Sequence, residues 1–121
     1  MDRVFVYGTL RQGQYNHPIL GKARFVQMDE LPDHALYSLR YFPAAYHSPG
    51  YSVVGEVYEV DVATLERLDR LEGYTGNPLT SLYVRKEKVL RSGLNAYVYL
   101  WPRLPDKDMP LIPSGDWTKA I

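Results

Sequence analysis

The hydrophobic pattern of the chain starts with a short, unbroken apolar run from Val4 to Tyr7, which ends at Gly8. A continuous apolar run of this length, closed by glycine, is typical of a strand that is buried on both faces. Residues 51–60 instead alternate, so that Val53 and Val57 share one face of a strand. The pattern therefore predicts a fully buried first strand and a second clear strand near the middle of the chain.

Weaker strand patterns cover four further stretches: residues 23–27, 34–39, 82–90 and 95–101. A breaker at residues 31–33 separates the first two stretches, and the Ser-Pro-Gly sequence at residues 48–50 predicts a turn. Residues 102–113 contain four prolines, so we expect an extended tail that lies over the domain. About six strands and one main helix indicate a mixed α+β domain that comprises residues 1–121.

The one substantial helix is predicted over residues 62–72. Asp61 offers an N-cap, Gly73 offers a C-terminal stop, and Leu65 and Leu68 form the apolar stripe. The next position on this stripe is occupied by Glu72, an acidic residue where the pattern predicts an apolar one.

Glu72 is the most informative polar residue of the chain. A carboxylate on an inward stripe is costly, and both desolvation and the negative end of the helix dipole favour its protonated form. Both effects raise the pKa, which suits a general acid or base that works near neutral pH. An alternative is that the last helical turn frays and Glu72 points into water.

Composition narrows the classes of function. The 14 basic and 14 acidic side chains balance, and the basic residues form no run, so a nucleic-acid footprint is absent. The apolar runs are too short to cross a bilayer, and no signal-peptide pattern opens the sequence. The chain has no cysteine, which excludes thiol nucleophiles and fits a reducing, cytoplasmic location.

Tyrosine is the one compositional anomaly, with 11 residues in a chain of 121. Tyrosine favours strands, so the excess fits half-buried rings in a β-rich fold. It also fits a cavity wall that needs apolar faces and hydroxyl tips together. Both interpretations stay open from composition alone.

The turn at Gly8 has two interpretations as well. It could be an ordinary tight turn, or the backbone N–H groups that it exposes could bind an anion. The sequence is more specific: Val6-Tyr7-Gly8-Thr9-Leu10-Arg11-Gln12-Gly13 resembles the opening signature of the gamma-glutamylcyclotransferase-like (AIG2-like) family. The segment that follows, residues 13–20, resembles the gamma-glutamylamine cyclotransferase branch in particular.

Further segments carry the same resemblance. Residues 68–74, Leu68-Asp69-Arg70-Leu71-Glu72-Gly73-Tyr74, are similar to the family segment that holds the catalytic glutamate, which corresponds to Glu72. Tyr83 and Arg85 resemble a tyrosine-x-arginine element, and residues 112–117 resemble the close of bacterial members. The loop over residues 73–82 is longer than expected for the gamma-glutamylamine branch, and this difference concerns the choice of substrate.

The resemblance implies a bent, partly barrel-like sheet with the helix near the cavity mouth. It also implies release of 5-oxoproline from a gamma-glutamyl amine or peptide, by attack of the substrate's own α-amine on its γ-carbonyl. Such chemistry needs no cofactor or metal. Glu72 would transfer protons, and the turn would bind the glutamyl group with these four residues: Tyr7, Gly8, Thr9 and Leu10.

Other candidates have weaker support. Tyr83 and Tyr99 could line the cavity or simply pack in the core. Arg85 could pair with Glu56 or with a substrate carboxylate, or it could be an exposed surface arginine. A non-catalytic binding module that keeps the cavity is the alternative to an enzyme. A phosphate-binding loop is disfavoured, because the turn lacks the lysine of that motif. The leaving amine, and whether the protein is a monomer or a homodimer, stay open.

Overall fold

The computed structural model describes residues 1–120, which form one six-stranded mixed sheet and one α-helix. In chain order the elements are β1 (Asp2–Val6), β2 (Arg24–Ser38), β3 (Pro43–Val60), α1 (Val62–Leu71), β4 (Val84–Val89), β5 (Asn95–Leu100) and β6 (Leu111–Ile112). Short 3-10 turns cover His17–Leu20 and Trp117–Lys119. The sheet order is β4-β5-β1-β3-β2-β6, and only the β1–β5 pair is parallel. The expected α+β class is confirmed.

Strands β2 and β3 form one long hairpin where the sequence predicted three shorter strands, over residues 23–27, 34–39 and 51–60. The breaker at residues 31–33 does not end a strand: Pro32 pairs with Ser52 and His34 pairs with His47, with a register shift between the two pairs. The prediction of two separate strands at 23–27 and 34–39 was therefore wrong. The strands continue past the proline because the residues left unpaired, Asp33 on β2 and residues 48–51 on β3, absorb the irregularity.

The sheet is bent but does not close. Beyond the end of β1, the N–H of Trp101 donates to Ala45 O at 2.9 Å, and the N–H of Arg91 donates to Glu30 O at 2.9 Å. These two bonds draw the β4–β5 hairpin against the β2–β3 hairpin, while β4 and β6 stay at the two edges of the order. The expected partial barrel is confirmed.

Strand β1 is buried on both faces, as its sequence predicted. Val4 and Val6 belong to the core on the helix side, and Phe5 and Tyr7 belong to the core inside the bent sheet. The strand therefore links both cores and holds the turn that follows it in a fixed position.

Helix α1 begins and ends where its caps predict. The carboxylate of Asp61 accepts from the Thr64 N–H at 2.7 Å, and Gly73 takes the positive φ of +66° that follows the helix end. Leu65 and Leu68 are buried on the inward stripe. The residue after Leu71 is Glu72, whose N–H still donates to Leu68 O at 2.9 Å, so the last turn is not frayed.

The proline-rich tail supplies the sixth strand. Residues Leu111–Ile112 pair with Leu36 and Tyr37 at the edge of β2, and the Val54 N–H donates to Gly115 O at 2.8 Å. The count of six strands is therefore right, although one of the six is a tail segment that the sequence predicted only as extended. Within residues 1–120, no helix is long and apolar enough to cross a membrane.

Candidate active site

A cavity of about 560 Å³ opens between the turn after β1, the end of α1 and the residues before β4. This volume is within the range of small-molecule sites. Sixteen residues line it: Phe5, Val6, Tyr7, Gly8, Thr9, Leu10, Tyr15, Asn16, Tyr41, Phe42, Pro43, Leu71, Glu72, Leu82, Tyr83 and Tyr99. Seven of the eight sequence-predicted site residues are among them, and Arg85 is the exception.

Glu72 is the one carboxylate in this lining. It keeps part of its accessible surface because it faces the cavity. Burial raises the pKa of Glu72 from an ordinary value of 4.5 to about 7. Among the described residues, no side chain forms an ion pair or a hydrogen bond with its carboxylate. An unpartnered carboxyl group with a pKa near neutrality can accept and return a proton.

Three tyrosines line the same cavity as Glu72, and their hydroxyl groups are already bonded. The Tyr7 hydroxyl donates to Tyr99 O at 2.6 Å, and the Tyr83 hydroxyl donates to Pro43 O at 2.7 Å. The Tyr99 hydroxyl donates to Asp69 Oδ1 at 2.6 Å. These bonds fix the rings, so the cavity wall is preorganised.

The charge of Glu72 affects the pKa values of the same three tyrosines. Burial is the main cause that raises the pKa of Tyr7, Tyr83 and Tyr99 well above its ordinary value, and the charge of Glu72 contributes to each rise. The phenols therefore stay neutral at any pH where the protein would work. They serve as apolar walls and fixed dipoles.

The turn after β1 lines the cavity with Gly8, Thr9 and Leu10. The N–H groups of Gly8, Thr9 and Leu10 have no backbone acceptor among residues 1–120, while the turn is closed by Arg11 N–H donating to Gly8 O at 3.1 Å. Gly8 lies against the ring of Pro43, and a Cβ there would lie 2.7 Å from Pro43 Cδ. Free donors at the end of a buried strand are suited to bind anionic or carbonyl oxygens.

A buried ionic cluster, which the sequence did not predict, holds this turn in place. Arg11 Nε donates to Glu56 Oε2 at 2.9 Å, and Arg11 Nη1 donates to Asp116 Oδ1 at 2.8 Å. Glu56 also accepts from the Gln12 N–H and from the Tyr58 hydroxyl, each at 2.9 Å. Glu56 is therefore ion-paired and is not part of the cavity lining.

Arg85, which the sequence analysis selected as a substrate-binding residue, is not among the residues that line the cavity. Its Nη1 donates to Asp69 Oδ2 at 2.6 Å, and its guanidinium group lies over the rings of Tyr74 and Tyr97. The suggested pairing with Glu56 is wrong, because Arg11 occupies that position. Sequence could not decide this, because the partner, Asp69, lies on helix α1, and contacts between elements are not visible in the sequence pattern.

The mouth of the cavity was missed by the sequence analysis. Its residues share large exposed side chains and come from four separate segments: Tyr15, Tyr41, Phe42, Leu71 and Leu82. The excess of tyrosine was the only sequence signal for them. The interpretation of that excess as a cavity wall is confirmed for Tyr7, Tyr83 and Tyr99.

The part of the chain that the structure describes holds no cluster of three or more side chains of the types that bind metal ions. The lining offers instead one titratable carboxyl group, three free backbone donors and fixed aromatic walls. Residues 4–119 match the family model described as gamma-glutamyl cyclotransferase, AIG2-like. The chain belongs to this family. The resemblance seen in its motifs is thereby confirmed, and the family is one of enzymes of the gamma-glutamylcyclotransferase kind.

Similar proteins match the chain over most of their lengths. The gamma-glutamylcyclotransferase family protein YtfP of Escherichia coli K12 is 37% identical over 115 residues, covering 95% of each chain. The structure of an uncharacterized protein of Pyrococcus horikoshii aligns with a TM-score of 0.79 at 32% identity, covering 98% of this chain and 92% of that one. An AIG2-like protein of Mus musculus aligns with a TM-score of 0.70 at 27% identity, covering 91% and 88%.

Proposed function

We propose that this protein releases 5-oxoproline from a gamma-glutamyl amine or peptide, with Glu72 as the general acid and base. The observation that carries the proposal is the unpartnered Glu72 carboxyl group, which faces a cavity beside the free donors of the turn and has its pKa raised to about 7. The family shows the kind of enzyme; the role of each residue is our inference.

The proton balance of the reaction requires one group that acts twice. The ionised Glu72 carboxylate takes a proton from the substrate α-ammonium, and the neutral amine attacks the γ-carbonyl carbon. The attacking nitrogen then releases its second proton to solvent, the tetrahedral intermediate breaks its bond to the leaving nitrogen, and Glu72 returns its proton to that nitrogen. The products are 5-oxoproline and a free amine, and no other nucleophile is needed. A group with a pKa near 7 suits both steps, because it is neither too weak a base nor too weak an acid.

The turn is assigned to glutamyl binding. The N–H groups of Gly8, Thr9 and Leu10 are donors without backbone acceptors, and we place the anionic oxygens of the glutamyl group against them. One of these donors could also stabilise the charge that develops on the γ-carbonyl oxygen. Tyr7, Tyr83 and Tyr99 then confine the bent conformer in which amine and carbonyl meet, which is an effect of orientation.

The resemblance to the gamma-glutamylamine branch and the cytoplasmic location stay predictions. The charge balance and the lack of cysteine support a soluble protein of a reducing compartment. A small molecule is the partner that the cavity volume fits.

The direct test is 5-oxoproline release from a panel of gamma-glutamyl amides and dipeptides by the wild type and Glu72→Gln. This substitution keeps the shape and removes the base, so we expect kcat to fall by roughly 10²–10⁴-fold. Glu66→Gln is the matched control, because Glu66 is an exposed residue of the same helix and lies outside the cavity. The control should keep wild-type activity.

Two results would count against the proposal. Equal release by wild type and Glu72→Gln would keep the activity but remove Glu72 from its role. No 5-oxoproline from any member of the panel would instead favour the alternative, a binding module that keeps the cavity without turnover.

A further inference from the structure

Helix α1 carries a second carboxyl group beside the site, Asp69. It lies three residues before Glu72, so the two side chains are neighbours on the helix surface. Tyr99 lines the cavity with Glu72, yet its hydroxyl group donates to Asp69 Oδ1 at 2.6 Å. Burial and the bond to Asp69 raise the pKa of Tyr99 most, and the charge of Glu72 adds to that rise. Both carboxyl groups therefore influence one phenol, and Asp69 holds its proton.

Arg85 decides which partner of this bond is the donor. It lies directly opposite Tyr99 in the register of β4 and β5, and its Nη1 donates to Asp69 Oδ2 at 2.6 Å. Paired with a guanidinium group, Asp69 is a carboxylate, which accepts hydrogen bonds and has no proton to donate. The guanidinium group is itself fixed over the rings of Tyr74 and Tyr97, at 5.2 and 4.6 Å from their centroids. The single hydroxyl proton of Tyr99 is thus committed to Asp69.

The other buried phenols of the cavity are bonded to the backbone. The hydroxyl groups of Tyr7 and Tyr83 donate to main-chain oxygens, so no substitution of an acceptor side chain would release them. Asp69 is the one side-chain acceptor among the partners of the three phenols. The titratable groups that share the cavity with Glu72 are all tyrosines: Tyr7 at the end of β1, Tyr15 after the turn, Tyr83 before β4, Tyr99 on β5, and Tyr41, whose ring lies under the Arg40 guanidinium group.

We propose that Asp69, held by Arg85, is a positioning residue that keeps the Tyr99 proton from the general base. The inference rests on the proposed function, because that function makes Glu72 the base. A carboxylate that accepts a hydrogen bond is stabilised in its ionised form, so its pKa falls and it becomes a weaker base. By engaging the phenol, Asp69 leaves Glu72 without a donor. The tyrosine-x-arginine element then has two roles: Tyr83 lines the cavity, and Arg85 acts through Asp69.

Asp69→Leu tests the role of this bond. Leucine resembles aspartate in shape, favours helix and fills the site, so water does not take the place of the carboxylate as acceptor. We expect the midpoint of the pH profile of kcat/KM for 5-oxoproline release to fall by about one unit from its wild-type value, because the freed Tyr99 hydroxyl donates to the Glu72 carboxylate. Carbon-13 NMR titration of the Glu72 carboxyl group should show the same shift and needs no turnover.

Two further variants separate the hydroxyl group from the charge. Asp69→Leu/Tyr99→Phe removes the donor as well, so its midpoint should return to that of the wild type. Glu66→Leu makes the same change at an exposed position of α1 outside the cavity, and its midpoint should equal that of the wild type. Thermal melting checks that each variant is folded. Asp69→Ala is the second variant at this partly exposed position, and its midpoint should move in the same direction.

The outcomes distinguish this inference from the function on which it rests. A wild-type midpoint and a wild-type Glu72 titration in Asp69→Leu would overturn the inference and leave the cyclotransferase activity standing. An equal fall in Asp69→Leu/Tyr99→Phe would overturn it too, since the lost charge of Asp69 would then be the cause. A wild type that releases no 5-oxoproline would instead refute the proposed function, while the NMR titration would still decide whether Asp69 keeps the Tyr99 proton from Glu72.

Discussion

Glu72 shows how one residue can be understood from its position in the sequence. The leucines at positions 65 and 68 define an inward stripe, and position 72 falls on it, so a buried carboxyl group was predictable. The backbone bond from its N–H to Leu68 O shows that the last turn holds. What sequence could not supply is the absence of a partner, because a nearby cation from another element would have lowered the pKa.

The raised pKa has a consequence for stability with a definite sign. The folded state binds the Glu72 proton more tightly than the unfolded state, so the free energy of unfolding falls as pH rises from 4.5 to about 7. The ionised Glu72 side chain thus lowers the free energy of unfolding by up to about 3 kcal/mol above pH 7. We expect Glu72→Gln to be more stable than wild type by up to that amount at pH 8, and equal to it near pH 4.

Urea unfolding of both proteins at the two pH values measures this difference. Glu66→Gln serves again as the control, and its free energy of unfolding should equal that of the wild type at both pH values. A Glu72→Gln variant that is less stable than wild type at pH 8 would show that the carboxylate has a stabilising partner, contrary to the structure.

At the scale of elements, the turn after β1 depends on a strand and a tail that are distant in sequence. Arg11 joins Glu56 on β3 to Asp116 near the chain end, and side chains of the cluster are largely buried. The same oxygen of Asp116, Oδ1, also accepts from the N–H of Thr118 at 3.0 Å. The cluster positions the donors of the turn without touching the cavity.

Arg11→Met should lower the free energy of unfolding by about 3–5 kcal/mol, because it leaves two buried carboxylates without their cation. Arg24→Met is the matched control. Arg24 pairs with Glu59 at 3.0 Å on the surface, and such pairs contribute about 0–1 kcal/mol. Chemical denaturation of the two variants provides the comparison. An equal, small loss in both would mean that the Arg11 cluster contributes no more than a surface pair.

The elements differ in how far sequence could predict them. Strand β1 and helix α1 were predictable because their signals are local: an apolar run closed by glycine, and a stripe between two caps. The continuous β2–β3 hairpin was not, because the register shift at Pro32 depends on pairing with a strand 20 residues away. A two-residue strand such as β6 has too few residues for any periodicity, and exists only because β2 offers it an edge.

For the whole molecule, the bend of the sheet is what creates the site. The two hairpins meet beyond the end of β1, and the cavity opens where the turn, the helix end and the β2–β3 turn converge. The family and its fold were accessible from motifs spread over most of the chain. The mouth was not, because its residues come from segments with no common sequence pattern.

The central claim is that a carboxyl group with a pKa near 7 transfers the proton, and the pH dependence of kcat/KM tests it most directly. For 5-oxoproline release by the wild type, we expect activity to rise with pH to a plateau, with a midpoint at about 7, because the base has to be ionised. In Glu72→Gln this rise should be missing from the residual rate. A wild-type profile that is flat between pH 5.5 and 8.5, or the same rise in both proteins, would contradict the account.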